Sequence, residues 1–134
     1  MVIEIAARLS GGDFCESLVP LGTGVNYVKA AIQIAIGEDP DLDSLKPQFN
    51  RAVVNRYFFP SPGRLKGIEG EEKVLSREWV RKLEFWYKAG EIVPPPISHA
   101  HRFGVFVAMG RDRQEVEERA RWVYQTIRIH TEPV

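Results

Sequence analysis

Glu4, Arg8 and the Ser10-Gly11-Gly12 turn are the residues of this chain whose types and spacing suit chemistry. They fall in one stretch, Met1-Val2-Ile3-Glu4-Ile5-Ala6-Ala7-Arg8-Leu9-Ser10-Gly11-Gly12. The apolar run reads as a short strand over residues 2–6. Such a strand has no structural need for Glu4, because ionised side chains are almost never fully buried without a partner. With residues 2–6 extended, Glu4 and Arg8 leave the strand's end close together. A carboxylate beside a guanidinium is commonly a surface ion pair. It also suits a magnesium-bound phosphate, the carboxylate taking the metal and the guanidinium the phosphate oxygens. The residue pattern leaves both readings open.

These residues need a scaffold, and 134 residues supply one of ordinary domain size. A chain of that length buries roughly two-thirds of its unfolded surface, enough for one domain or two small subdomains. With 44% hydrophobic and 27% charged residues it matches a soluble globular protein. The 18 basic and 18 acidic residues cancel, which gives no expectation of nucleic acid or an anionic membrane as partner. Cys15 stands alone, which excludes an internal disulfide and a cysteine metal cluster and suits a reducing compartment. No apolar stretch approaches the roughly twenty residues of a membrane span, and the N-terminus lacks a basic signal-type region. A cytoplasmic protein is expected.

Along the first part of the chain, Leu9 to Thr23 reads as loop, with Gly11-Gly12 and Pro20 as its punctuation. Thr23 is a candidate N-cap for a helix running to Ile36. Val25, Val28, Ile32, Ala35 and Ile36 recur at helical spacing and predict a face packed into a core, and Gly37 is placed to stop the helix. Glu38-Asp39-Pro40-Asp41-Leu42-Asp43 reads as a solvated acidic linker, because its spacing does not fit a calcium loop. A boundary is expected near Pro47, dividing a segment 1–48 from a domain 49–134.

The second part predicts strands followed by a helix. Ala52 to Phe59 is β-branched and aromatic, stopped by Pro60-Ser61-Pro62-Gly63, and Arg64 to Glu69 follows as a second strand after a tight turn. Glu71 to Trp79 suggests a helical turn, Lys82 to Lys88 a strand, and Ile92-Val93 a short extended piece before three prolines. Arg102 to Met109 predicts a strand covered on both faces. Asp112 with Glu115 has capping-box spacing and opens a last helix, whose apolar face is Val116, Ala120, Val123, Tyr124 and Ile127. Three or four antiparallel strands on a terminal helix make an α+β fold.

Other reactive side chains carry less. His99 and His101 lack a matched carboxylate or thiol cluster and read as structural or solvated. Cys15 has no histidine at nucleophile spacing and reads as a small buried or half-buried thiol. Arg51, Arg56, Arg64 and Lys66, near Tyr57 and Phe58, read as a solvated sheet face rather than a nucleic-acid platform.

Glu4-Ile5-Ala6-Ala7-Arg8-Leu9-Ser10-Gly11-Gly12, followed by Glu16-Ser17-Leu18-Val19-Pro20-Leu21-Gly22-Thr23-Gly24-Val25, resembles the C-terminal end of an ATP-grasp ligase. It is most similar to the carboxylate–amine ligases of the L-amino-acid ligase type, near biotin carboxylase and the large subunit of carbamoyl-phosphate synthase. That core closes with a strand bearing a Glu and Arg pattern, a glycine loop and a helix ending in Gly-Glu, supplied here by Gly37-Glu38. The stretches Asn50 to Gly70 and Val93-Pro94-Pro95-Pro96 through Gly104 are similar to the small β-rich domain appended to those ligases.

The resemblance implies that residues 1–48 are the last strand, loop and helix of an ATP-grasp core and that 49–134 form an accessory domain. It implies Glu4 as a magnesium ligand, Arg8 as a catalytic contact to ATP phosphates or an acyl phosphate, and Ser10, Gly11 and Gly12 as backbone donors to a bound anion. Ala6 stands where many members carry Asn, so Glu4 would need a further acidic ligand. Nucleotide-clamping residues would belong to an ATP-binding N-terminal polypeptide or domain, so Mg2+ and ATP are expected only in the complete enzyme. Self-association through the strand at 2–6 is expected in the lone chain, whose strand edge lacks sheet neighbours. The alternative reading is a non-catalytic interaction or assembly module left from such an enzyme.

Overall fold

The computed structural model describes Ile5 and residues 8–134. Of the strand expected over residues 2–6 only Ile5 is described, 87% exposed and in no strand; the rest of it, and with it the self-association expected there, lies outside the described residues. The chain divides into two compact units, Met1–Arg51 and Ala52–Val134.

In the first unit, a wide π-type turn (Phe14–Leu18) runs into the short helix α1 (Val19–Thr23), and α2 (Tyr27–Ala35) follows. The segment expected as loop up to Thr23 is therefore partly helical. Pro20 sits in the first turn of α1, where its fixed φ suits the helix and its missing N–H costs little. Thr23 does not cap α2. Its hydroxyl donates to the Val19 carbonyl at 2.7 Å and so belongs to α1, which ends at Gly24 in the left-handed region, φ 80°. Asn26 takes the cap instead, its side-chain oxygen accepting from the Lys29 N–H at 3.1 Å.

Gly37, at φ 82°, stops α2 as expected. Its N–H donates to Ile34 and that of Glu38 to Gln33, the paired bonds of a Schellman ending. The face of α2 departs from expectation. Val25 and Ala30 are buried, whereas Ile32 and Ile36 lie exposed.

The second unit contains β1 (Ala52–Phe58), β2 (Gly63–Glu69), α3 (Glu71–Leu75), β3 (Val80–Phe85), β4 (Ile92–Val93), β5 (Gly104–Gly110), α4 (Arg113–Thr126) and β6 (Arg128–Glu132). Two three-stranded antiparallel sheets result, ordered β1-β5-β3 and β4-β2-β6. The α+β class stands, divided between two sheets. The last helix is not the final element, because β6 returns to pair with β2 from Arg64↔Glu132 to Glu69↔Arg128. Strand β3 begins at Val80, earlier than expected, and bulges between Val80 and Lys82.

Strand β5 is covered on both faces, and Val105, Phe106, Val107 and Ala108 are fully buried. Phe106 and Ala108 join Phe58, Leu65, Val74, Val123 and Ile127 in the core. Among the described residues no helix is long and apolar enough to cross a membrane.

Gly70 and Thr126 meet where β2 ends and α4 closes. A Cβ on Gly70, itself at φ 90°, would lie 2.4 Å from the Thr126 carbonyl oxygen. Gly70→Ala is therefore expected to cost at least about 1–2 kcal/mol from the left-handed backbone alone. Urea unfolding of the variant measures it.

Asp112 caps α4, its carboxylate accepting from the Glu115 N–H at 2.9 Å. Glu115 reaches back one residue further than a standard capping box, to the Arg111 N–H at 2.7 Å. That N–H, followed by the Arg111 and Arg119 guanidiniums, holds the Glu115 carboxyl below the usual range. A folded-state value below the unfolded one adds stability above about pH 4.5, lost as pH falls through the folded value. The stability advantage of the native chain over Glu115→Gln should follow that course in denaturation at successive pH values.

Candidate functional site

The sequence Arg8-Leu9-Ser10-Gly11-Gly12 cannot continue a strand, because two adjacent glycines favour reversal over extension. Gly12 at φ 68° and Asp13 at φ 67° are consecutive left-handed residues, and they turn the chain into the π-type turn. Asp tolerates that region better than most side chains. The Asp13 carbonyl accepts from the Ser17 and Leu18 N–H groups at 2.9 and 3.0 Å, anchoring the turn's exit.

Its entry is anchored by Cys15. The buried thiol donates to the Ser10 carbonyl at 2.9 Å. Tyr27, at the start of α2, meets the same spot. Burial, then the neighbouring Cys15, raises its hydroxyl above the ordinary tyrosine range. A thiol and a phenol thus back the turn from inside while its outer side faces solvent. Neither Asp13 nor Tyr27 stood out in the sequence. The one available signal was Cys15 five residues beyond Ser10, and its partner is a backbone atom.

Arg8, Ser10, Gly11 and Gly12 are all exposed. The Arg8 guanidinium donates to the Leu9 carbonyl at 3.1 Å. A Cβ built on Gly11 meets nothing within 4 Å among the described residues. The fold brings Arg8 and the Ser10–Gly12 turn onto one exposed segment. Glu4, expected as the metal ligand, lies outside the described residues.

Among the described residues no three His, Cys, Asp or Glu side chains group to hold a metal ion. Magnesium requires near-octahedral oxygen ligation, which these residues do not offer. The acidic linker is solvated, and Asp41 accepts from the Asp43 N–H in a local turn.

The remaining candidates have local partners. His99 accepts from Arg102, whose guanidinium lies 3.9 Å from the centre of the Tyr57 ring. Arg56 lies on one sheet of the second unit and Arg64 and Lys66 on the other. Arg51 stacks on Phe49, Arg56 pairs with Glu117 at 2.8 Å, Arg64 donates to the Gly90 carbonyl, and Lys66 pairs with Glu132.

Residues 56–132 match the family model described as L-amino acid ligase C-terminal domain 2. Among solved structures, the chain is similar to L-amino acid ligase from Bacillus licheniformis, with TM-score 0.79 and 21% identity over 98% of this chain and 33% of that one. It is also similar to phosphoribosylglycinamide synthetase from Anaerococcus prevotii, with TM-score 0.76 and 19% identity over 90% of this chain and 30% of that one. At those identities the likeness is one of fold. The chain spans about a third of the length of either structure. A comparison with curated protein sequences finds no significant match.

Proposed function

The chain belongs to the L-amino acid ligase C-terminal domain 2 family, and from that membership we propose that it works as the C-terminal part or subunit of an ATP-dependent carboxylate–amine ligase. The observation that carries the proposal is the family match over residues 56–132. The fold-level likeness to the Bacillus licheniformis ligase supports it, because that likeness takes in 98% of the chain, the exposed turn included.

In the proposed reaction a substrate carboxylate oxygen attacks the γ-phosphorus of ATP. An acyl phosphate forms and ADP leaves. An amine nitrogen then attacks the acyl carbon, the carbon–oxygen bond breaks, and phosphate departs with an oxygen that began in the carboxylate. The nitrogen loses its proton to solvent.

The role proposed for this chain is positioning and charge neutralisation. Arg8 presents a planar, permanently charged fork to phosphate oxygens. Ser10, Gly11 and Gly12 offer backbone N–H groups to the same anion, and Cys15 and Tyr27 brace that turn. Glu4 is proposed as a magnesium ligand. One carboxylate does not organise such an ion, so the other ligands belong to an ATP-binding N-terminal portion.

Two results follow from this reading. The isolated chain should show no calorimetric heat of Mg-ATP binding at micromolar concentrations, and a micromolar affinity would refute the need for another portion. In the complete enzyme, a carboxylate labelled with heavy oxygen should deliver one label to phosphate. Unlabelled phosphate would exclude the acyl-phosphate route.

A second reading has one observation in its favour. The family match falls wholly within Ala52–Val134 and leaves the turn outside it. A module kept only for assembly would retain that unit, and Arg8 would then be dispensable to any activity.

A further inference from the structure

We infer that the loop leading into β5 forms a binding site for a small N-acylated amino acid with an apolar side chain, held through its free carboxylate by Arg102. The site lies wholly in the second unit. It goes beyond the ligase function proposed above and does not depend on it.

Phe103 fixes the loop. Its side chain is fully buried, its N–H donates to the Phe58 carbonyl at 3.2 Å, and its carbonyl accepts from the Trp86 N–H at 3.0 Å. Those bonds tie it to the ends of β1 and β3 together. Arg102 precedes it, with its guanidinium over the Tyr57 ring, 3.9 Å from the ring centre. One guanidinium nitrogen donates to Nδ1 of His99. A guanidinium stacked on one face and bonded at one corner is already oriented, so a ligand meets it at little ordering cost. Its other N–H groups have no acceptor, and its charge no carboxylate, among the described residues. Paired N–H groups of a guanidinium match the two oxygens of a carboxylate.

The surroundings choose among anions. Arg102 and His99 share an open hollow of about 290 Å³ with Phe59, Pro96, Ile97 and Ser98, at the small end for ligand sites. Phe59 is 59% and Ile97 82% exposed. Single exposed apolar side chains are ordinary, but two on one hollow beside an unpaired cation form a surface with a use. A phosphate would meet one fixed charge and leave the apolar wall bare. No acidic residue lines the hollow, so an α-ammonium would find no partner there. A nitrogen blocked as an amide carries no charge and needs none. Carboxylate, apolar side chain and uncharged nitrogen together define the ligand.

The test is titration of the nitrogen-15-labelled full chain with N-acetyl-L-leucine, followed by NMR. The Arg102 side-chain N–H signal and the Ile97 and His99 amides should shift together and saturate with a Kd of about 1 mM, the scale for so small a ligand. N-acetyl-L-leucinamide, which lacks the carboxylate, and L-leucine, which carries the ammonium, should each bind about tenfold more weakly. Arg102→Gln and Ile97→Ser should each weaken binding about tenfold while the β5 amide signals stay in place. Ile97 is exposed enough that its variant keeps the test valid should Arg102→Gln misfold.

The absence of a saturable shift overturns the inference. So does equal binding of the amide, of L-leucine or of inorganic phosphate, or a Kd unchanged in the folded variants. A tetrapeptide Ala-Ala-Ala-Leu that binds far more tightly than N-acetyl-L-leucine would overturn the single-residue ligand in favour of a longer peptide.

Discussion

Arg8→Ala in the assembled ligase is expected to lower kcat by a factor of about 10²–10³, the usual loss when one fixed donor to developing charge is removed. The chemistry proposed transfers a phosphoryl group and leaves little covalent work to the protein, so positioned positive charge carries most of the effect. If Arg8 makes the proposed contact, which would strengthen as charge redistributes, kcat and kcat/KM should fall together. Arg8→Lys should recover only part of the loss, since an ammonium cannot reproduce the planar two-pronged contact. Stability should hardly change. Arg8 is exposed and donates to a neighbouring carbonyl, and such surface changes stay within about 0.5 kcal/mol. Rates of ADP release, read beside urea unfolding, separate the two effects. An Arg8→Ala ligase with native kcat would remove Arg8 from the mechanism and favour the assembly-module reading.

Phe106→Ala is expected to cost about 3–5 kcal/mol of stability. Phe106 is fully buried at the centre of β5, between Arg56 on β1 and Leu83 on β3. Its ring lies 5.4 Å from that of Phe58 and meets Tyr124 edge-on at 5.2 Å. Alanine there removes the ring from all three neighbouring elements at once. Tyr124, held by its hydroxyl donating to the Tyr57 carbonyl at 3.0 Å, is not free to fold inward and fill the gap. A domain of ordinary stability, about 5–15 kcal/mol, would lose a fifth or more of it. The midpoint of urea unfolding, followed by tryptophan fluorescence, measures the loss. A shift below about 1 kcal/mol would mean that the sheet repacks freely around the cavity.

Where a local rule decides the outcome, the sequence was readable. Asp112 and Glu115 cap α4 through bonds within one turn, Gly37 stops α2, and Pro60-Ser61-Pro62-Gly63 separates β1 from β2. The uninterrupted apolar run of β5 marks a strand buried on both faces.

Elements that depend on distant partners were hidden. Arg128-Ile129-His130-Thr131-Glu132 alternates as a strand should, yet its polar residues gave little reason to end α4 before it. Its partner β2 lies early in the unit, beyond the reach of local pattern. Val19-Pro20-Leu21-Gly22-Thr23 reads as loop because Pro and Gly break helix interiors, while a one-turn helix has scarcely any interior.

The same division runs through the candidate site. The Gly11-Gly12 reversal and the exposure of Arg8 follow from residue type. The thiol of Cys15 on the Ser10 carbonyl does not, because a backbone acceptor leaves no mark in the side-chain pattern. The apolar spacing of α2 predicted a buried face, but Ile32 and Ile36 lie exposed.

The most direct test of the central claim is to capture the chain from its source cells under native conditions and supply Mg-ATP with a mixture of the standard L-amino acids. The account predicts ADP and phosphate released in step with a new carbon–nitrogen bond, and loss of both when the captured chain carries Arg8→Ala. Capture of the folded chain with no amino-acid-dependent ADP release, or with release unaffected by Arg8→Ala, would contradict it.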